Sequence, residues 1–222
     1  MISDTRLVYR LLVAVDVERY STRSAMEQLR AQTDLRHVLD AAASRAGLDR
    51  GLWHKQVRGD GELAVLPPEV DVPGAVGAFV QGLETALSDL NDARVGQASL
   101  RLRLALHHGT LAPGPFGPIG DAPIVVSRLL DAGPVREVLA GRRHGDLGLV
   151  VSDTLFQDVV RTGFCSLAPD DFSPMRITVK GMSYRGYVRR PRVVAADATV
   201  VALSPRRIEA QHHLEVKTRS ED

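Results

Sequence analysis

Apolar positions recur along this chain with two spacings, one typical of strands and one typical of helices. Apolar or alternating runs predict seven strands, over 7–15, 52–58, 62–66, 100–107, 147–151, 177–179 and 184–188. Helical periodicity and capping residues predict four helices, over 25–46, 76–90, 124–140 and 152–161, the third interrupted by Gly133-Pro134.

The order of these elements is β-α-β-β-α-β, followed by further helices and strands. That order is the split βαβ pattern, in which helices cover one face of an antiparallel sheet. We therefore expect an α+β, ferredoxin-like core spanning residues 1–191. The signals fade beyond it, so 192–222 is expected to be a partly disordered C-terminal extension in which only 198–203 has strand character.

Composition excludes several classes of partner. The 222 residues carry 28 Lys+Arg and 27 Asp+Glu, so the net charge of +1 gives no broad field to attract a nucleic acid polymer. The first apolar run, Leu7 to Val15, is too short to span a bilayer, so no membrane partner is expected. Cys165 is the single cysteine, which excludes an intrachain disulfide and favours a cytoplasmic location.

Two aspartates lie where neighbouring elements of the predicted sheet meet. Asp16 follows the first strand, and Asp60 lies in the Gly59-Asp60-Gly61 turn between the second and third strands. The first strand lies beside that hairpin in a split βαβ sheet, so both carboxylates can converge where Mg²⁺ or Mn²⁺ would bind with substrate phosphates. A helix begins shortly after Asp16, and its N-terminus favours phosphate. The alternative is that each aspartate is an ordinary turn residue.

Six segments, in order, resemble motifs of the class III nucleotide cyclases, the catalytic domain of adenylate and guanylate cyclases. They are Asp16 to Ser21 and Gly59-Asp60 (the two metal motifs), Arg103 to Gly109, Gly120 to Leu129, Leu149 to Phe156, and Val179 to Gly181. Together they cover about residues 7 to 190, as in a divergent bacterial member of the family.

The resemblance implies a metal-dependent enzyme that forms a 3′,5′-cyclic nucleotide and pyrophosphate from a nucleoside triphosphate. Two Mg²⁺ or Mn²⁺ ions per site would be held by Asp16, Asp60 and the backbone carbonyl of Val17. Arg128 falls at the family's transition-state arginine. The family's sites are shared head to tail between two chains, which implies a homodimer with two equivalent sites.

Several substrate-contacting positions depart from the family pattern. Gln56 stands where a lysine reads adenine, and Lys55 is offset by one residue, which along a strand turns a side chain to the opposite face unless a bulge corrects it. Gly117 occupies the other base-contacting position, and Ile124 replaces the asparagine that orients the ribose. The identity of the substrate base therefore stays open, and a pyrimidine is among the alternatives.

The resemblance implies phosphate contacts at a further group of positions. Arg19 replaces a glycine of the first metal motif, where it either reaches the phosphates or is a solvated side chain, and Tyr20 and Ser21 follow it. Lys180 lies in the closing Lys-Gly turn, where it either touches the triphosphate or is a surface turn residue.

Two other functions compete with an active class III cyclase. Arg58 to Pro67 resembles the Gly-Gly-Asp-Glu-Phe segment of diguanylate cyclases, although the strand with His107 and the helix with Arg128 follow the class III pattern. The loss of the asparagine at Ile124 favours a catalytically weak or inactive cyclase-homology module that binds nucleotide or a partner in a regulatory role.

Overall fold

The computed structural model describes residues 6–94, 97–140 and 145–190. Within these ranges seven strands form one sheet, in the spatial order β2-β3-β1-β4-β5-β7-β6. The strands are β1 (Val8–Val17), β2 (His54–Val57), β3 (Gly61–Val65), β4 (Leu102–Leu111), β5 (Leu147–Ser152), β6 (Phe172–Val179) and β7 (Met182–Arg189). The expected C-terminal extension over 192–222, with its strand character at 198–203, lies outside the described residues.

The helices are α1 (Ala25–Arg45), α2 (Val72–Asp92), α3 (Asp121–Leu130), α4 (Gly133–Ala140) and the short α5 (Asp153–Leu155), which continues as a π-helical turn over Phe156–Val160. Ser24 and Glu27 form a capping box that begins α1. The expected interruption falls at Asp131 and Ala132, directly before Gly133-Pro134, which begin α4. No helix in the described ranges has the length and apolarity needed to cross a membrane.

The α+β fold class is confirmed, and the sheet is mixed rather than wholly antiparallel. β4 and β5 pair in parallel, with Leu102 opposite Leu147, while the other neighbouring strands are antiparallel. A parallel pair needs a crossover connection, and α3 and α4 supply it between β4 and β5.

Helices cover both faces of the sheet rather than one. Leu11, Val13 and Val15 of β1 belong to a core cluster that includes α1 and α2, and we call this side the α1/α2 face. Leu12 and Ala14 alternate with them and belong to a second cluster that includes α3 and α4 residues, on what we call the α3 face. β1 lies inside the sheet between β3 and β4, and its buried part is apolar on both sides, as a strand buried on both faces requires.

Candidate active site

The β2–β3 hairpin brings Asp60 to the end of β1, beside Asp16. Asp16 lies opposite Gly61 in the β1–β3 ladder, and the Val17 N–H donates to the Asp60 carbonyl oxygen over 2.8 Å. A Cβ on Gly61 would lie 1.9 Å from the Val15 carbonyl oxygen, so the close approach of the two backbones requires glycine. The backbones at Asp16 and Asp60 therefore lie side by side within one chain.

The Asp16 carboxylate is buried and paired. It lies on the α3 face, is 7% exposed, and faces Arg103 of β4 across the β1–β4 ladder. Arg103 donates from Nε to Oδ1 over 2.7 Å and from Nη2 to Oδ2 over 2.6 Å. Burial nevertheless raises the pKa of Asp16 to about 6, and the negative charges of Asp60 and Asp131 add to the rise. The carboxylate thus lies in a region where a further positive charge would be favourable.

The turn after β1 carries the next three candidate residues. Arg19 has φ 55°, in the left-handed region, at the position where the resembled motif has glycine. Its carbonyl oxygen accepts from the Thr22 N–H and hydroxyl, which begins a 3₁₀ turn over Tyr20–Thr22. Arg19 and Ser21 are exposed, whereas Tyr20 is half-buried and packs on the α1/α2 core.

Arg19 also lines a groove of about 780 Å³ at this end of the sheet. Arg23 and Arg101 share its walls with the carboxylates of Glu18 and Glu27. The groove is open and mixed in charge, and it adjoins the turn that follows Asp16.

Gln56 and Lys55 lie on opposite faces of the sheet. The β2–β3 register is continuous, with Lys55 opposite Ala64 and Gln56 opposite Leu63, so no bulge corrects the one-residue offset. Ala64 belongs to the α1/α2 core and Leu63 to the α3 core. The Lys55 ammonium donates to the Arg50 carbonyl oxygen over 2.7 Å.

Gln56 meets the loop that contains Gly117. Its Nε2 donates to the Phe116 carbonyl oxygen over 3.0 Å, and a Cβ on Gly117 would lie 3.1 Å from the Gln56 amide carbon. The structure therefore brings together Gln56 and Gly117, the two positions expected to contact the base, and keeps Lys55 apart from them.

Ile124 and Arg128 lie one turn apart on α3. The helix packs on the sheet through Ala122, Val126 and Leu129, and leaves Ile124 48% exposed. Arg128 is half-buried and has no hydrogen bond or ion pair within the described ranges, so its guanidinium is available to an anion.

Lys180 does not join the two aspartates within one chain. It lies exposed in the β6–β7 turn, where φ is 51° at Lys180 and 80° at Gly181. Ser152, the last residue of β5, pairs with Gly186, so this turn lies toward the C-terminal ends of β4 and β5. Asp16 instead faces the start of β4, so Lys180 is at the opposite end of the sheet.

Two side chains without an expected role lie at the site. Arg103 begins one of the six segments that resemble class III motifs, but its pairing with Asp16 depends on the β1–β4 register. Gln32, in the middle of α1, donates from Nε2 to the Tyr20 hydroxyl and to the Gly59 carbonyl oxygen, each over 2.7 Å. A glutamine on an exposed helical surface carries no sequence signal for such contacts.

His107 lies further along β4 than Arg103, beside the last residue of β5, and its setting is structural. It is buried on the α3 face, and its Nδ1 lies 2.8 Å from the Ser152 hydroxyl oxygen, which also accepts from the Leu155 N–H as the cap of α5. Burial lowers the pKa of His107 to about 4, so the ring is neutral near pH 7. In the described part of the chain no cluster of three or more His, Cys, Asp or Glu side chains could hold a metal ion.

Known structures share this architecture. The adenylate/guanylate cyclase/hydrolase from Silicibacter pomeroyi superposes with a TM-score of 0.61 at 19% identity, over 84% of this chain and 99% of that one. The guanylate cyclase domain of RhGC from Catenaria anguillulae in complex with GTP gives 0.55 at 18% identity, over 84% and 99%. The adenylyl cyclase CyaB from P. aeruginosa gives 0.54 at 15% identity, over 84% and 95%.

No protein-family model matches the chain, and no curated protein matches it in sequence. The structural likeness covers 84% of this chain in each case and includes both adenylyl and guanylyl cyclases, so at these identities it establishes the fold. The chain has the fold of the class III adenylyl and guanylyl cyclase catalytic domain.

Proposed function

We propose that this protein is a metal-dependent nucleotide cyclase that converts a nucleoside triphosphate to a 3′,5′-cyclic nucleotide and pyrophosphate. The observation that carries the proposal is the meeting of Asp16 and Asp60 at the end of β1, on a fold shared with adenylyl and guanylyl cyclases. Arg128, which has no partner among the described residues, and the Gln56–Gly117 contact add groups for phosphate and base.

The residues at the end of β1 fit a hard divalent cation. Their donors are the carboxylate oxygens of Asp16 and Asp60 and the backbone carbonyl of Val17, and oxygen donors suit Mg²⁺ and Mn²⁺. The repulsion that Asp16 experiences from Asp60 and Asp131 favours a cation there. When bound, two such ions would supply an activated ribose hydroxyl and compensation of phosphate charge.

The remaining groups bind and orient the substrate. The backbone N–H groups of the 3₁₀ turn, with Arg19, Tyr20 and Ser21, face the polyphosphate. The ribose 3′-hydroxyl gives its proton to solvent and its oxygen attacks the α-phosphorus as the bond to pyrophosphate breaks, while Arg128 stabilises the charge on the transferring phosphate. Ile124 contributes no hydrogen-bond donor to the ribose, so a slow reaction is expected.

We infer a homodimer with sites shared head to tail. One copy contributes Asp16 and Asp60, while the other contributes Gln56 and Arg128. The position of Lys180 supports sharing, because within one chain it lies at the opposite end of the sheet from the aspartates. A two-fold arrangement of identical surfaces gives two equivalent sites.

Gln56 is the proposed base-contacting residue. Lys55 is not assigned a base contact, because its ammonium is bound to the Arg50 carbonyl on the other face of the sheet. A glutamine amide offers both a donor and an acceptor, and it can therefore meet the hydrogen-bonding edge of a purine or a pyrimidine.

A second function is favoured by one observation. Ile124 places an exposed apolar side chain where the resembled family has an orienting asparagine. A module that binds nucleotide without efficient turnover, in a regulatory role, would tolerate this replacement.

The deciding experiment incubates the purified protein with Mn²⁺ and each of ATP, GTP, CTP and UTP, followed by chromatography. We expect a cyclic monophosphate from at least one triphosphate, and none from Asp60→Ala. Nucleotide binding without product in excess of Asp60→Ala would replace the cyclase proposal with the regulatory module. A cyclic dinucleotide from GTP would instead identify a diguanylate cyclase.

A further inference from the structure

The hairpin that carries Asp60 is held from two sides through consecutive carbonyl groups. The Val17 N–H, at the end of β1, donates to the Asp60 carbonyl oxygen over 2.8 Å. The Gln32 amide, on α1, donates to the Gly59 carbonyl oxygen over 2.7 Å. One bond comes from within the sheet and the other from the helix that covers it.

The same Gln32 nitrogen also donates to the Tyr20 hydroxyl oxygen over 2.7 Å. A carboxamide NH₂ has two hydrogens, and these two acceptors use both. The amide therefore links the turn after β1, helix α1 and the hairpin. The resembled metal motif has phenylalanine where this chain has Tyr20, and phenylalanine offers no oxygen for such a link.

The Gly59 side of the hairpin needs an external restraint, whereas Gly61 already lies against β1 in the ladder. Glycine has wide backbone freedom, and a Cβ on Gly59 would have no atom within 4 Å, so packing does not hold that side of the turn. Within the loop, the Arg58 N–H donates to the Gly61 carbonyl oxygen over 2.8 Å, which closes the turn without fixing its tip against β1.

We propose that Gln32 is a positioning residue that holds the Asp60 hairpin against the end of β1. For the metal site, this inference rests on the proposed function. Two carboxylates serve one metal site only when their separation is held to within about 0.5 Å. Gln32 acts through the backbone of Gly59 and does not itself contact metal or substrate.

The test compares Gln32→Met with Gln28→Met. Methionine matches glutamine in length and helix propensity but lacks the amide. Gln28 lies one turn earlier on α1, and its Nε2 donates to the Arg23 carbonyl oxygen over 3.0 Å, away from the hairpin. Tyr20→Phe is a third variant, which removes the hydroxyl acceptor and keeps the ring.

Hydrogen exchange of the full-length protein, measured by mass spectrometry without metal, is the first readout. We expect Gln32→Met to accelerate exchange of the 57–62 segment about three- to tenfold, the range that loss of one hydrogen bond allows, with no change in Gln28→Met. Tyr20→Phe should give a smaller acceleration. Unchanged exchange in Gln32→Met would overturn the inference.

Calorimetric titration with Mn²⁺ is the second readout. We expect the apparent Kd of Gln32→Met to rise about three- to tenfold while that of Gln28→Met stays at the wild-type value. Absence of Mn²⁺ binding by the wild-type protein, with the hairpin still loosened in Gln32→Met, would refute the proposed metal site and support the restraint. Tight Mn²⁺ binding with an unaffected hairpin would refute the restraint alone.

Discussion

Gln56 lies against Gly117, so that a side chain at the glycine would crowd the Gln56 amide. A Cβ there would approach both the amide carbon and Oε1 of Gln56 to 3.1 Å, and Gly117 has φ +118°. The bond from Gln56 Nε2 to the Phe116 carbonyl uses one amide hydrogen. In the proposed site, Oε1 and the second amide hydrogen of Gln56 would bind the base.

Substituting Gln56 should therefore change base preference. We expect Gln56→Ala to reduce the ratio of kcat/KM between the best and worst triphosphates by about tenfold, because one base-contacting hydrogen-bonding group is lost. Steady-state kinetics with ATP, GTP, CTP and UTP would measure it. Lys55→Ala is the control, and a changed ratio in that variant alone would contradict the assignment.

Restoring a donor at position 124 should accelerate the reaction. We expect Ile124→Asn to raise kcat by about 10²-fold, comparable to the loss of one transition-state donor in other enzymes. Ile124→Leu keeps the side chain apolar and should leave kcat unchanged. Equal rates for both variants would show that this position does not contact the reacting ribose.

Mixing two inactive variants should restore activity if sites are shared between chains. When Asp60→Ala and Arg128→Ala chains assort at random, half of the dimers are heterodimers. Each heterodimer has one intact site. Activity should therefore return to about one quarter of the wild-type value. Light scattering would verify dimerisation, and dimers without recovery would contradict the shared site.

The two glycines on either side of Asp60 should differ sharply in how well they tolerate substitution by alanine. We expect Gly61→Ala to lower the free energy of unfolding by about 2–3 kcal/mol, because its Cβ would overlap the Val15 carbonyl oxygen. Gly59→Ala meets no atom within 4 Å and should cost less than about 1 kcal/mol. Urea denaturation of both variants would measure the difference.

Protonation of His107 should destabilise the protein in acid. Its pKa is about 4 in the folded state and 6.5 in the unfolded state, so its contribution is complete above pH 6.5 and is lost as pH falls toward 4. Between pH 7 and pH 5 we expect a loss of about 2 kcal/mol that His107→Gln does not show. Urea denaturation of the wild-type protein and of His107→Gln at pH 7 and pH 5 would measure the loss. An equal loss of stability in both proteins would contradict the prediction.

Local patterning predicted most elements because their signals lie within a few residues. The Asp-Gly hairpin and the Ser152 cap of α5 occur where expected, and the break between α3 and α4 lies directly before the expected Gly133-Pro134. Element boundaries differ from the predicted ones where strand pairing, rather than local composition, sets the end of a strand. β4 continues to Leu111 because it pairs with β1 along its whole length. Helices on both faces, and the parallel β4–β5 pair, arose from the crossover through α3 and α4.

By itself, the sequence determined the α+β architecture and the placement of Asp16 and Asp60 at adjoining element ends, because period-two patterning and turn chemistry are local properties. Only the tertiary structure decided which face each side chain occupies. Without a bulge in β2, Gln56 faces the loop at Gly117 while Lys55 is bound on the other side. The pairing of Asp16 with Arg103 and the two bonds of Gln32 likewise join residues distant in sequence, which only strand register and helix packing bring together.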